Sequence, residues 1–319
     1  PTWMEVSDKS ELAVKLIILT SLLLSLEPGG SGDNTLAVGA WPGRTIIKDV
    51  DLQTVTSWRA RPGEADYDQQ ISPDGRYVAF CRMYDPSRLT AVVVRNIQTG
   101  EESVRRVSRW PVLPGSPQWT PDGKAIAYYT TDWVNVRSSF DLWRIRLIEE
   151  RPIRIARQRV PVVWISPTKL VTEDPETSRS FISTVGPSRI LRDRRLSVPT
   201  KRTAIGGRPG LASLVYASEK GDTPRLYYFD IQSGRRTYIG KAPAKVLNIA
   251  ILKGGTLAMT TYRVLALRIP QDQAVWVRNG GSWTRLGKYL FLGGGLSASF
   301  TLASCVGWGE PLEGLYYEK

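Results

Sequence analysis

Two clusters of acids stand closest to catalytic chemistry: Glu64, Asp66 and Asp68, and Glu173, Asp174 and Glu176. Paired carboxylates can cleave a glycosidic bond or hold calcium. Neither cluster has the spacing of a metal loop or a sugar-binding pattern beside it, and acids in loops are most often solvated. The chain has no histidine. No Ser-His-Asp or Cys-His nucleophile can be assembled from it, and histidine-ligated zinc, facial-triad iron and bis-histidine haem are excluded for the same reason. Cys81 and Cys305 are too few for a four-thiolate site. Both fall in expected apolar strands, which predicts buried thiols; a bridge between them requires the first and last parts of the fold to meet. Gly293-Gly294-Gly295 lacks the Lys-Ser/Thr and helix of a phosphate loop, and is expected to allow close strand packing. No cofactor or metal is expected, and the chain reads as a non-enzyme.

Basic residues carry the remaining chemical signal. The 43 basic residues outnumber 30 acidic ones, for a net charge of +13. Arginine supplies 31 of the 43 and lysine 12, an excess suited to bidentate pairing with carboxylates or phosphates. Arg144, Arg146, Arg151 and Arg154 form one group, extended by Arg157 and Arg159. Arg189, Arg192, Arg194 and Arg195 form a second, extended by Lys201 and Arg202, and Arg105, Arg106 and Arg109 a third. Alternate residues of a strand share a face, so Arg144 with Arg146, and Arg192 with Arg194, project together. Taken singly, each arginine is best read as solvated. As a set they predict a surface for an acidic protein partner or anionic lipid. Nucleic acid is disfavoured, because no recognisable reading module accompanies the charge.

The elements that must position these residues are repeats. Ser72-Pro73-Asp74-Gly75-Arg76-Tyr77-Val78-Ala79-Phe80 returns as Thr120-Pro121-Asp122-Gly123-Lys124-Ala125-Ile126-Ala127-Tyr128, 48 residues later. Trp119 precedes the second copy, and Trp164-Ile165-Ser166-Pro167 repeats that arrangement with the Asp-Gly pair lost. Asp51-Leu52-Gln53-Thr54, Asn96-Ile97-Gln98-Thr99-Gly100 and Asp230-Ile231-Gln232-Ser233-Gly234 each close a run of β-formers. Proline presets φ, aspartate bonds its own backbone and glycine takes positive φ, so these are turns between strands. A turn and strand recurring at a fixed period is a propeller blade.

These motifs resemble the repeats of TolB-like β-propellers, well over residues 67 to 157 and in part over 35 to 60 and 211 to 240. The resemblance implies an all-β fold, and many such propellers lie outside the cytoplasm and bind proteins. Units are expected near 35–62, 67–107, 115–157, 160–204, 210–241, 246–287 and 289–319. That spacing allows six blades if the two ends share one, or seven; seven is favoured.

Residues 1–30 are expected to be a hydrophobic helix and linker, ahead of a propeller over 31–319. Asp8 and Glu11 make a capping box, and Glu27-Pro28-Gly29-Gly30 stops the run. A helix over residues 8 to 26 would be roughly 28 Å long, near the ~30 Å thickness of bilayer hydrocarbon. Its acidic start and lack of a small-residue cleavage site argue against a signal peptide. A membrane anchor is preferred, formed by Leu12, Leu16, Ile17, Ile18, Leu19, Leu22, Leu23, Leu24 and Leu26. A non-catalytic accessory or scaffold subunit of a membrane-associated complex follows, bound to membrane protein subunits or anionic lipid. Its expected site is the bacterial inner membrane, with the propeller on the periplasmic side. The alternatives are an extracytoplasmic enzyme using carboxylates on carbohydrate or peptide, and a soluble propeller that recruits acidic proteins.

Overall fold

A computed structural model describes residues 36–40, 44–48, 54–84, 87–109, 111–132, 140–149, 151–199, 202–218, 223–251, 255–264, 270–279, 281–288 and 290–292. Its strands form six four-stranded antiparallel sheets. The first contains β1 (Leu36–Ala40), β2 (Arg44–Lys48) and β3 (Thr54–Arg59). The second is β4 (Glu64–Ile71), β5 (Tyr77–Tyr84), β6 (Leu89–Asn96) and β7 (Glu102–Arg109). The third is β8 (Val112–Trp119), β9 (Ala125–Asp132), β10 (Phe140–Arg146) and β11 (Ile153–Arg157). The fourth is β12 (Val160–Ser166), β13 (Lys169–Asp174), β14 (Arg179–Val185) and β15 (Ile190–Arg195). The fifth is β16 (Arg202–Gly207), β17 (Ser213–Ser218), β18 (Arg225–Asp230) and β19 (Arg236–Lys241). The sixth is β20 (Lys245–Ile251), β21 (Leu257–Val264), β22 (Pro270–Asn279) and β23 (Ser282–Lys288). Finally, β24 (Leu290–Leu292) pairs with β1 and completes the first sheet.

This arrangement corrects the sevenfold expectation. Five sheets are each built from consecutive strands, and the remaining one joins the first and last described strands. Of the last expected unit, the described strand β24 pairs with β1 and lies at the edge of the first sheet. The Leu12–Leu26 run, Cys305 and Gly293–Gly295 lie outside the described residues. Among those described, no helix is long and apolar enough to cross a membrane.

Each continuous sheet is a meander, so side-chain alternation packs one face against the preceding sheet and the other against the next. The middle strands therefore read as nearly unbroken apolar runs. On β5, Val78 and Phe80 face Trp58 of the first sheet, while Ala79 joins Trp119, Ile126 and Tyr128 of the third. Cys81 is fully buried on the same strand.

The repeated turns behave as their sequence predicts. Ser72 Oγ donates to Asp74 Oδ1 (2.5 Å) and Gly75, at φ +72°, returns its N–H to the Ser72 carbonyl (2.9 Å). Thr120, Asp122 and Gly123 repeat this at 2.6 and 2.9 Å. In the other turn type, Asn96 Oδ1 accepts the Gln98 and Thr99 N–H groups, and Asp230 Oδ1 accepts from Ser233.

Neighbouring sheets are tied at the ends of their inner strands. Trp119 Nε1 donates to the Gln70 carbonyl (3.0 Å), Trp164 Nε1 to that of Gln118 (3.2 Å), and Gly210 N to that of Trp164 (2.9 Å). Inner strands β4, β8, β12 and β16 thus run in the same direction with their ends aligned. Hairpin turns β8–β9, β10–β11, β12–β13, β14–β15, β16–β17 and β18–β19 consequently crowd one end of the propeller.

Candidate binding surface

The acids reach very different environments. Asp66 is on β4 with its carboxylate fully buried, held by Arg82 of β5 in a bidentate pair (Nε–Oδ1 2.6 Å, Nη2–Oδ2 3.0 Å). The same guanidinium reaches Glu102 (2.8 Å) and Glu64 (3.2 Å), and Arg95 closes on Glu102 at 2.8 Å. Arg95 also lies 4.7 Å from the Trp58 ring centroid. Burial pushes the Asp66 carboxyl up, and its bonds from Arg82 oppose that. Burial works against the Arg82 charge, but its bonds to Asp66 and Glu102 hold the guanidinium above its ordinary range. Arg82 thus neutralises acids that would otherwise repel one another between the first and second sheets. Glu64 and Asp66 are structural.

Asp68 stands apart, on the same inner strand. It sits at φ +54° in a bulge between Tyr67 and Gln70, and Ser116 occupies the corresponding bulge of β8 at φ +46°. Each bulge frees backbone groups from the ladder, and Asp68 Oδ2 accepts the Ser116 N–H at 2.9 Å. Burial pushes its carboxyl up to about 6, against that one bond. A carboxyl raised in the fold adds stability in full below its unfolded value and loses it as pH rises through about 6. Asp68→Asn is accordingly expected to stabilise the protein at neutral pH by on the order of 2 kcal/mol, the gain vanishing near about pH 4. Denaturant unfolding of both proteins at the two pH values checks this; equal stability at neutral pH would show that Asp68 is not held out of water.

The second acid cluster is dispersed. Glu173 is buried on β13, Asp174 Oδ1 accepts the Glu176 and Thr177 N–H groups in a turn, and Glu176 is exposed. Elsewhere, Asp230 borders a surface depression of about 520 Å³ with Tyr228, Arg235 and Thr237. Hydrogen bonds from Ser233 hold its carboxyl below the usual range, which makes it a turn acceptor rather than an acid. Among the described residues, no group of three or more Cys, Asp or Glu is placed to hold a metal.

The arginines divide into two kinds. Arg144 of β10 donates to the Gly186 (3.0 Å) and Pro187 (2.5 Å) carbonyls in the β14–β15 turn. Arg194 of β15 reaches the Ile231 carbonyl of the fifth sheet (3.4 Å), as Arg105 of β7 reaches Leu147 of the third (3.4 Å). Arg154 pairs with Asp141 at 3.2 Å, and Arg159 reaches Asp193 at 3.3 Å while lying over Phe181. These guanidiniums clasp neighbouring strands or sheets. Arg151, Arg189, Arg192 and Arg195 are exposed with no carboxylate partner among the described residues, and Arg146 has only Glu149 at 3.5 Å. The result is a basic rim along the outer strands and turns of the third and fourth sheets.

No protein-family model and no characterised protein matches the chain by sequence. Solved structures do. TolB from Acinetobacter baumannii is similar with a TM-score of 0.61 and 14% identity, over 92% of this chain and 70% of that one. The fold is a TolB-like β-propeller. An oligogalacturonate lyase in complex with manganese is similar with a TM-score of 0.53 and 14% identity, over 80% of this chain and 74% of its own. A second oligogalacturonate lyase, from Vibrio parahaemolyticus, gives 0.53 and 12% over 81% and 77%. These likenesses describe architecture, since one ring of sheets carries both a lyase and TolB. For this TolB-like propeller, function has to be argued from its own surface.

Proposed function

We propose that this propeller is a non-catalytic accessory or scaffold subunit of a membrane-associated assembly, on the periplasmic side of a bacterial inner membrane. The Leu12–Leu26 run is its proposed anchor, and the basic rim is its binding surface. One observation carries the reading: Arg151, Arg189, Arg192 and Arg195 stand exposed with no carboxylate partner among the described residues, while Arg144 and Arg194 are engaged with neighbouring carbonyls. Exposed guanidiniums on a rigid scaffold steer and orient an anionic partner. Replacing all four with glutamate tests this in the full chain, purified from native membranes in mild detergent. Co-purifying subunits are expected to be lost while the melting temperature stays within a few degrees of wild type, as befits exposed side chains. Retention of every partner by the reversed rim would reject the reading.

A second reading, carboxylate-dependent processing of carbohydrate or peptide, is supported by Asp68 alone. Its carboxyl lies on an inner strand in the range of a general acid. It has no free acid beside it on that strand, because Asp66 and Glu64 are bound to Arg82.

A further inference from the structure

The hairpin end of the propeller carries a second kind of signal. Large apolar side chains are seldom exposed here, yet Ile148 is 89% exposed, Leu191 59% and Leu211 40%. Ile148 belongs to the β10–β11 turn, Leu191 is the second residue of β15 just after the β14–β15 turn, and Leu211 lies in the β16–β17 turn. All three turns lie at the same end. Arg144 binds the β14–β15 turn to the third sheet, and Leu191 lies against Gly186 within that turn. The β16–β17 turn is drawn across the fourth sheet by the Gly210–Trp164 bond, and Gly210 lies beside Pro121 of the third. Arg146 ends β10, and Arg151 and Arg189 lie in the first two of these turns; all three are exposed.

Resting on the reading of the rim as a binding surface, we infer that this end seats on an anionic bilayer. Ile148, Leu191 and Leu211 enter the headgroup boundary, and Arg146, Arg151 and Arg189 meet lipid phosphates. Charge complementarity selects an anionic occupant. The shape of the apolar part selects lipid over protein: the exposed groups are single aliphatic side chains on three separate hairpins, and none of them lines the depression beside Tyr228 and Asp230. Protein interfaces concentrate energy in buried aromatic anchors and the pockets that receive them. An interfacial site instead needs apolar groups that sink about 5–10 Å among basic residues. Guanidiniums bind phosphate in the same bidentate manner that Arg82 uses for Asp66.

A local probe separates this contact from any anchoring by Leu12–Leu26. In the full chain carrying Cys305→Ser, an environment-sensitive fluorophore is attached to Ile148→Cys or, as reference, to Val104→Cys in mid-strand on β7. Vesicles of phosphatidylcholine containing about a third phosphatidylglycerol are expected to blue-shift the probe at position 148 and leave that at 104 unchanged. Pure phosphatidylcholine should give no shift, and glutamine at Arg146, Arg151 and Arg189 should remove most of it. Equal response at both positions, response to neutral vesicles, or a silent probe at 148 overturns the lipid assignment. A probe at 148 that shifts with a co-purified protein subunit but not with vesicles assigns this end to protein instead. A silent probe with partner capture intact rejects only the lipid contact, whereas a responsive probe with capture unaffected by rim reversal rejects only the partner reading.

Discussion

Arg82→Met is expected to lower the unfolding free energy by about 3–5 kcal/mol, the cost of removing one partner from a buried ion pair. Arg82 is 5% exposed in its side chain and Asp66 is 0%. Without the guanidinium, Asp66, Glu64 and Glu102 remain as three acids close together beside Trp58 and Phe80. Arg95 still compensates Glu102 at 2.8 Å, whereas Asp66 has lost both of its bidentate bonds. Pairing Arg82→Met with Asp66→Leu is expected to recover much of the loss, since an apolar pair of similar volume can replace a buried ion pair. The cycle is read from denaturant midpoints. A single replacement costing less than about 1 kcal/mol, the range of a surface pair, would mean that water reaches the cluster.

Trp164→Ala is the second large effect, at about 3–5 kcal/mol. Its indole is fully buried against Ala127, Leu142 and Ile155 of the third sheet, and Nε1 donates to the Gln118 carbonyl. Alanine removes both the packing and the bond between consecutive inner strands. Trp164→Phe separates the two, and its smaller loss, about 1–3 kcal/mol, measures mainly a buried carbonyl deprived of this donor. Should phenylalanine prove as harmful as alanine, the hydrogen bond rather than the packing would be holding the third and fourth sheets together.

What could be read in the sequence was whatever is local in chain and chemistry. Ser72-Pro73-Asp74-Gly75 declares its turn because every bond it makes falls within five residues. The strand Tyr77–Tyr84 declares itself by an apolar run. Long-range partners were not legible. Arg82 interrupts that run, but nothing in the strand says that Asp66, 16 residues earlier, is its counterion. Treated as a candidate catalytic cluster, Glu64, Asp66 and Asp68 divide in the fold because a bulge separates Asp68 from the other two. Arg144 and Arg194 looked like their neighbours in the arginine groups, since their acceptors are backbone carbonyls 42 and 37 residues away. The preference for seven units failed for the same reason. Pairing of β24 with β1 joins the first and last described strands, and the repeat spacing allowed that sharing without selecting it. Exposure of Ile148 follows from its position at a turn tip, which an isolated Leu-Ile pair does not announce.

The proposed work of this propeller is adhesion through the exposed arginines of its third and fourth sheets. Site-resolved photocrosslinking in native membranes tests it most directly, with a benzophenone amino acid placed at Arg192, at Arg195 or, for contrast, at Thr237 on β19. Discrete adducts with a membrane subunit are expected from the two rim positions and none from Thr237. Adducts from Thr237 alone, or no adduct from either arginine position while the protein remains with its assembly, would contradict it.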